Sequence, residues 1–177
     1  MVKAISDQHN GRLDVLVPNA ATGVYMGRPL TTPEVNFELG FKVNVESTFY
    51  LIRDCYPMIK KSKAEGGNAN ICVITSAVGR NASPAMGVYA MTKASLNNMV
   101  LVLCKEFLRD GIRVNGVAPA LIKTDMSQPL WQSKKTPKAS IGHPEHISGF
   151  VSTICSKDDG GFMNGEILHL DGGFSKM

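Results

Sequence analysis

Tyr89 and Lys93 stand four residues apart in Tyr89-Ala90-Met91-Thr92-Lys93, and Ser76 precedes the tyrosine by 13 residues. On a helix, a spacing of four places both side chains on one face, about one turn apart. A phenol with an ordinary pKa near ~10 is a poor acid or base at neutral pH. A neighbouring ammonium favours the phenolate and pulls that pKa toward the working range. A serine hydroxyl beside them could bind a substrate carbonyl and stabilise developing oxyanion charge. The reaction class implied is protonation of a carbonyl as hydride arrives, or the reverse. Plainer readings stand beside this one. Tyr and Lys are common on solvated helix faces, Ser76 could be a helix N-cap, and Thr124 could cap a following helix.

The elements that must hold these residues follow from periodicity. Arg12 to Pro18 is a short continuous apolar run, as expected of a fully buried parallel strand. Thr32-Pro33-Glu34 predicts an N-cap, a proline in first helical position and an acid in the first turn. Helical pattern continues to about Lys61, with a break near Asn44, and Lys61 to Asn68 reads as a charged loop. Asn70 to Ser76 is the second strand. Leu96, Met99, Val100, Leu103, Phe107 and Leu108 form one apolar stripe on a helix from Gly87 to Asp110. Gly111 follows as a left-handed stop. Ile112 to Ala118 and Glu166 to Asp171 are the third and fourth strands, with a helix between them from Pro144 to about Cys155. Strands alternating with helices predict βαβ units and a mostly parallel sheet. In such sheets ligands bind beyond the carboxyl ends of the strands. Asn19, Ser76, the stretch Pro119 to Thr124 and the stretch Asp171 to Gly173 are therefore the positions to inspect.

Composition narrows the function classes. The 177 residues are 44% hydrophobic and 19% charged, with a mean hydropathy near zero, which is ordinary for a globular chain and excludes coiled coil, collagen and disorder. The net charge of +4 is spread out, with Lys60, Lys61 and Lys63 as the densest cluster, so no nucleic-acid partner is expected. No apolar run approaches the ~20 residues of a membrane span, and the polar N-terminus has no signal-peptide core. Cys55, Cys72, Cys104 and Cys155 show no Cys-x-x-Cys pairing, so a reducing compartment is the plain reading. His143-Pro144-Glu145-His146 lacks a regular helix face and a third ligand, and no metal is expected there. The nine methionines read as core fillers, and Trp131 as a lid or interface anchor. Without repeats or linkers, residues 1–177 read as one domain.

Several motifs in order resemble the short-chain dehydrogenase/reductase family. Leu16-Val17-Pro18-Asn19-Ala20-Ala21 stands where the family has Asn-Asn-Ala-Gly, and Asn44 in Lys42-Val43-Asn44-Val45 matches its helix asparagine. Ser76 and Tyr89-x-x-x-Lys93 match its Ser and Tyr-x-x-x-Lys. Gly111-Ile112-Arg113-Val114-Asn115, Pro119 to Thr124 and Leu170-Asp171-Gly172-Gly173 complete the set. The resemblance implies a Rossmann-like α/β/α fold and NAD(P)(H)-dependent reduction of a ketone or aldehyde. It makes Tyr89 the acid, Lys93 its pKa tuner and ribose partner, Ser76 the carbonyl binder and Asn44 the holder of a relay water. Asn19, Ala20, Tyr89, Lys93, Pro119, Ala120, Ile122 and Thr124 would border the cofactor. Asn19 can also be read as tying adjacent strands together.

Within the family the look is that of peroxisomal NADPH-dependent carbonyl/retinal reductases of the dehydrogenase/reductase member 4 type. That likeness favours NADP(H) over NAD(H), a dimer or tetramer, and Ser175-Lys176-Met177 as an address for the peroxisomal import receptor; without that import the chain would be cytoplasmic. The sequence also departs from the pattern. The first strands and the Gly-x-x-x-Gly-x-Gly turn have no counterpart; Gly23-x-x-x-Gly27 has the first spacing, but Pro29 replaces the last glycine. Pro18, Ala21 and Ala120 replace an Asn and two Gly, and the substrate-covering stretch Gln128 to Gly142 is short. The departures leave two rival expectations: a truncated, impaired isoform that acts as an oligomerisation partner, and an incomplete product without a stable fold of its own. They also leave the Asp14-to-Val17 strand as an open apolar edge.

Overall fold

Ile71, Cys72 and Val73 are fully buried, because the strand that carries them is covered on both faces. The computed structural model describes residues 1–23, 25–134 and 136–173. In chain order the elements are α1 (Val2–Gln8), β1 (Val15–Leu16), α2 (Glu34–Phe41), α3 (Ser47–Ala64), β2 (Asn70–Ile74), α4 (Gly87–Glu106), β3 (Arg113–Pro119), α5 (Gln128–Trp131), α6 (Glu145–Cys155) and β4 (Ile167–Leu170). The strands form one parallel sheet in the order β1-β2-β3-β4. This is the Rossmann-like, three-layer arrangement expected from the alternation of strands and helices.

Alternation along the strands sorts the core into two clusters. Ile71, Val73 and Val114 pack with Ile52, Ile59, Leu96 and Val100 of α3 and α4 on one face. Cys72 and Val117 pack with Ile154 of α6 on the other. Gly111 at φ +66° ends the helical run after α4, where a left-handed residue lets the chain turn sharply into β3.

Several boundaries differ from the sequence reading. Only Val15 and Leu16 pair as strand, although the carbonyls of Asp14 and Pro18 still accept from Asn70 and Ile74 at 3.0 Å each. Pro18 has no N–H to extend that ladder. Thr32 does not cap α2: Pro33 occupies the N-cap position and the Thr32 hydroxyl is buried without a partner. Helix α3 runs on to Ala64, so Lys61 and Lys63 belong to its last turn, where cations suit the negative end of the helix dipole. The polar start of the chain folds as α1, from which Val2 and Ile5 pack against the larger core. Of the methionines, Met58 is buried, while Met26, Met91 and Met126 are about half exposed.

Candidate active site

The break expected near Asn44 is a π-helical turn over Lys42–Glu46, between α2 and α3. It buries Asn44 completely. The Asn44 Oδ1 accepts from the Thr22 N–H at 2.7 Å, and its Nδ2 donates to the Thr22 carbonyl and the Thr92 hydroxyl, each at 3.0 Å. Thr92 in turn donates to the Tyr89 carbonyl at 2.7 Å. One side chain thus clamps the loop after β1 to the first turns of α4. Both amide N–H donors are used, so the side chain itself has none left for a water. Thr92, which sequence reasoning passed over, is part of this clamp; its place inside Tyr-x-x-Thr-Lys was the available signal.

Ser76 follows β2, and of the two roles read from the sequence the cap is the one seen in the backbone contacts. Its hydroxyl accepts from the Val78 N–H at 3.4 Å, capping a 3-10 turn, and donates to the Pro119 carbonyl at 3.3 Å. It also lies close enough to the Tyr89 phenol to favour the phenolate. Lys93 is 2% exposed, and its Nζ donates to the Ile74 carbonyl at 3.0 Å and lies 5.6 Å from the centre of the Tyr89 ring. Burial holds the Lys93 ammonium down to about 8. Burial also pushes the Tyr89 phenol above its ordinary value, with the Ser76 hydroxyl opposing it. This corrects the expectation that Lys93 draws Tyr89 down. Both groups share one dry wall, and desolvation outweighs any attraction between them.

Two cavities meet at that wall. One, of about 510 Å³, is bordered by Asn19, Lys93, Pro119, Ile147 and Val151. The other, of about 420 Å³, is bordered by Tyr25, Met26, Val78, Met86, Leu121 and Leu130. Ser76, Tyr89, Ala120, Ile122, Thr124 and Met126 face both. Of the residues expected to border a cofactor, Ala20 alone borders neither cavity. Its neighbours Asn19 and Ala21 do border the larger cavity, while Ala20 is exposed.

Pairing in the loops builds the second cavity. Gly27 bridges to Met86 in parallel, its N–H donating to the Ala85 carbonyl at 3.0 Å. The glycine spacing at Gly23 and Gly27 therefore serves this cavity wall. Ile122 bridges likewise to Gly142. Thr124 does not cap α5, whose N-cap position holds Ser127; the Thr124 carbonyl accepts from the Trp131 indole at 2.9 Å. That bond makes Trp131 an anchor of the loop. At α6 the His146 Nδ1 accepts from the His143 N–H at 3.1 Å. Among the described residues no cluster of His, Cys, Asp or Glu has the makings of a metal site.

A family model described as enoyl-(acyl carrier protein) reductase matches residues 1–175. The chain belongs to the short-chain dehydrogenase/reductase family. "Dehydrogenase/reductase SDR family member 4" of Bos taurus is 31% identical over 172 residues, 93% of this chain and 60% of the bovine protein. "Tropinone reductase homolog At2g29260, chloroplastic" of Arabidopsis thaliana is 30% identical over 188 residues, 99% of this chain and 55% of the plant protein. This short-chain dehydrogenase/reductase thus spans between 55% and 60% of the length of these two relatives. The solved structure "ElxO with NADP Bound" superposes with a TM-score of 0.87 at 25% identity, over 99% of this chain and 72% of that one. The structure of gox2181 reaches a TM-score of 0.90 at 22% identity, over 99% and 70% respectively, and speaks to the fold alone.

Proposed function

We propose that this short-chain dehydrogenase/reductase carries the catalytic wall of an NAD(P)(H)-dependent oxidoreductase that reduces ketones or aldehydes. The observation that carries this reading is the pair of adjoining cavities divided by Ser76 and Tyr89, with Lys93 on one side only. The 510 Å³ cavity suits the nicotinamide half of the cofactor: it lies past the strand ends, with the Asn19 amide, the Lys93 ammonium and the Thr124 hydroxyl at its border. When bound, the cofactor supplies hydride to the carbonyl carbon and leaves oxidised.

The chain's own residues hold the carbonyl and move the proton. Ser76 binds the carbonyl oxygen, and the Tyr89 O–H, kept protonated by its raised pKa, gives that oxygen its proton. Lys93 holds a positive charge beside the phenolate that remains. Asn44 is a positioning residue: its side-chain amide is spent on Thr22 and Thr92, and its backbone carbonyl accepts from the Thr48 hydroxyl at 3.1 Å. NADP(H) is favoured over NAD(H) by the sequence likeness alone, since the solved neighbours include one with NADP bound and one complexed with NAD. Exposed Phe49 and Tyr50 of α3 and Leu101 and Val102 of α4 support a homo-oligomer. Ser175-Lys176-Met177 lies outside the described residues, and peroxisomal delivery remains a proposal from the sequence alone. A reporter with this tail that stays diffuse would overturn it.

The test is a titration of the purified chain with NADPH and NADH, followed by ketone-dependent loss of NADPH absorbance. Saturable binding, tighter for NADPH, is expected, with turnover falling about 100-fold or more in Tyr89→Phe. Undiminished turnover in that variant would overturn the assignment.

A further inference from the structure

The 420 Å³ cavity carries information about substrate that the catalytic residues do not. Its size falls within the range of about 300–1,000 Å³ typical of small-molecule sites. Among the described residues, none of its lining side chains is Asp, Glu, Lys, Arg or His. Its polar groups are neutral hydroxyls, among them Ser83, Ser127 and Thr136. Three methionines face it from different loops: Met26 and Met86 from the bridged rim, and Met126 from the loop leading to α5. Met26 and Met126 are 50% and 54% exposed. Flexible thioethers left open at a cleft mouth are suited to close over an apolar body of irregular shape.

We propose that this cavity admits uncharged, mainly apolar carbonyl compounds and rejects anionic ones, with Met26, Met86 and Met126 as its specificity-determining residues. The inference rests on the reductase reading of the same site. A carboxylate or phosphate drawn into this cavity would lose its water shell and find no cation among the described lining residues, since Lys93 borders the other cavity and gives its Nζ to the Ile74 carbonyl. A neutral carbonyl loses only what Ser76 and Tyr89 return. Shape fixes the rest. Gly27 is bonded to Ala85, and Ile122 is paired with Gly142, so the backbone of both rims is held and the methionine side chains do the adapting.

The experiment compares ethyl benzoylformate with benzoylformate, one skeleton in neutral and anionic form, by NMR of the chain labelled at methionine methyl carbons. Met26→Leu, Met86→Leu and Met126→Leu assign the signals. The ester is expected to move the three cavity methyls and to bind at least about tenfold tighter than the acid. Met126→Lys, a change at a half-exposed rim position, should reverse that order. Equal or tighter binding of the acid by the unaltered chain would overturn the proposal, as would three methyls that neither compound moves. NADPH oxidation is read separately. Methyl shifts without turnover would refute the reductase reading and leave this one standing, whereas equal turnover of ester and acid would do the opposite.

Discussion

Lys93 shows how much the site costs the fold. Burial lowers its pKa from 10.5 to about 8, so folding strips water from an ammonium that the unfolded chain keeps charged. Between those two values the unfolded state binds more protons than the folded one, and stability rises with pH. Below about 8 the cost is present in full. Lys93→Met should therefore raise stability at pH 7 by on the order of 1–2 kcal/mol, after loss of the bond to the Ile74 carbonyl, while abolishing turnover. Thermal unfolding and an activity assay on one sample check both halves. In the unaltered chain kcat/KM for reduction should fall as pH climbs through about 8 and the ammonium is lost. That Tyr89, Lys93 and Ser76 share one wall was legible in the sequence, because a spacing of four on a helix shares a face and Ser76 follows a strand end. Met26, Met86 and Met126 were not, since an apolar residue reads alike whether it fills a core or lines a cleft. A motif names residues without saying which of them face a cavity, and Ala20 borders neither.

Among the elements, the joint between β1 and α3 is held by polar bonds at a chain turn. Asp14 accepts from Arg12 Nη2 and the Ser62 hydroxyl at 2.8 Å each, and from the Asn68 N–H at 3.3 Å. The Arg12 hydrogen bond is the largest influence on its carboxyl, which lies at about 2 against an ordinary 3.8. The lowered value means that the unfolded state takes up protons first, so this contribution is complete above about 4 and is lost as pH falls through about 2. The side chain is 42% exposed, and solvent screening keeps the effect small. Asp14→Asn should cost about 0.5–1 kcal/mol at pH 7, with the gap to the unaltered chain closing in acid, as urea titrations at several pH values would show. Helices with an apolar stripe or a glycine stop were legible, as α4 and Gly111 show. Helix α1 was not. It is seven residues long, and only Val2 and Ile5 pack inward, too few for a period to stand out.

At the scale of the whole molecule, the strand order leaves β1 at an edge. Asp14 and Pro18 bond inward to β2, so the backbone groups of Val15 and Val17 turn outward, where no described strand meets them. Val17 is also 39% exposed. Such an edge invites pairing with other chains, and a charge placed there discourages it. Val17→Lys should lower self-association without loss of helical signal, measured by light scattering across a concentration series. The edge was foreseeable, because strand order follows from the family likeness. The paired cavities were not, because loops such as Gly27–Met86 and Ile122–Gly142 meet across long stretches of sequence that carry no period. Those cavities have a consequence for handedness. On the proposed reading, a ketone reaching Tyr89 from the methionine side would point its oxygen at Ser76 and Tyr89, and the cavity walls would fix its two substituents left and right. With the cofactor in the other chamber, as proposed above, hydride would reach only one face of that carbonyl. A prochiral ketone should therefore leave as a single enantiomer of its alcohol.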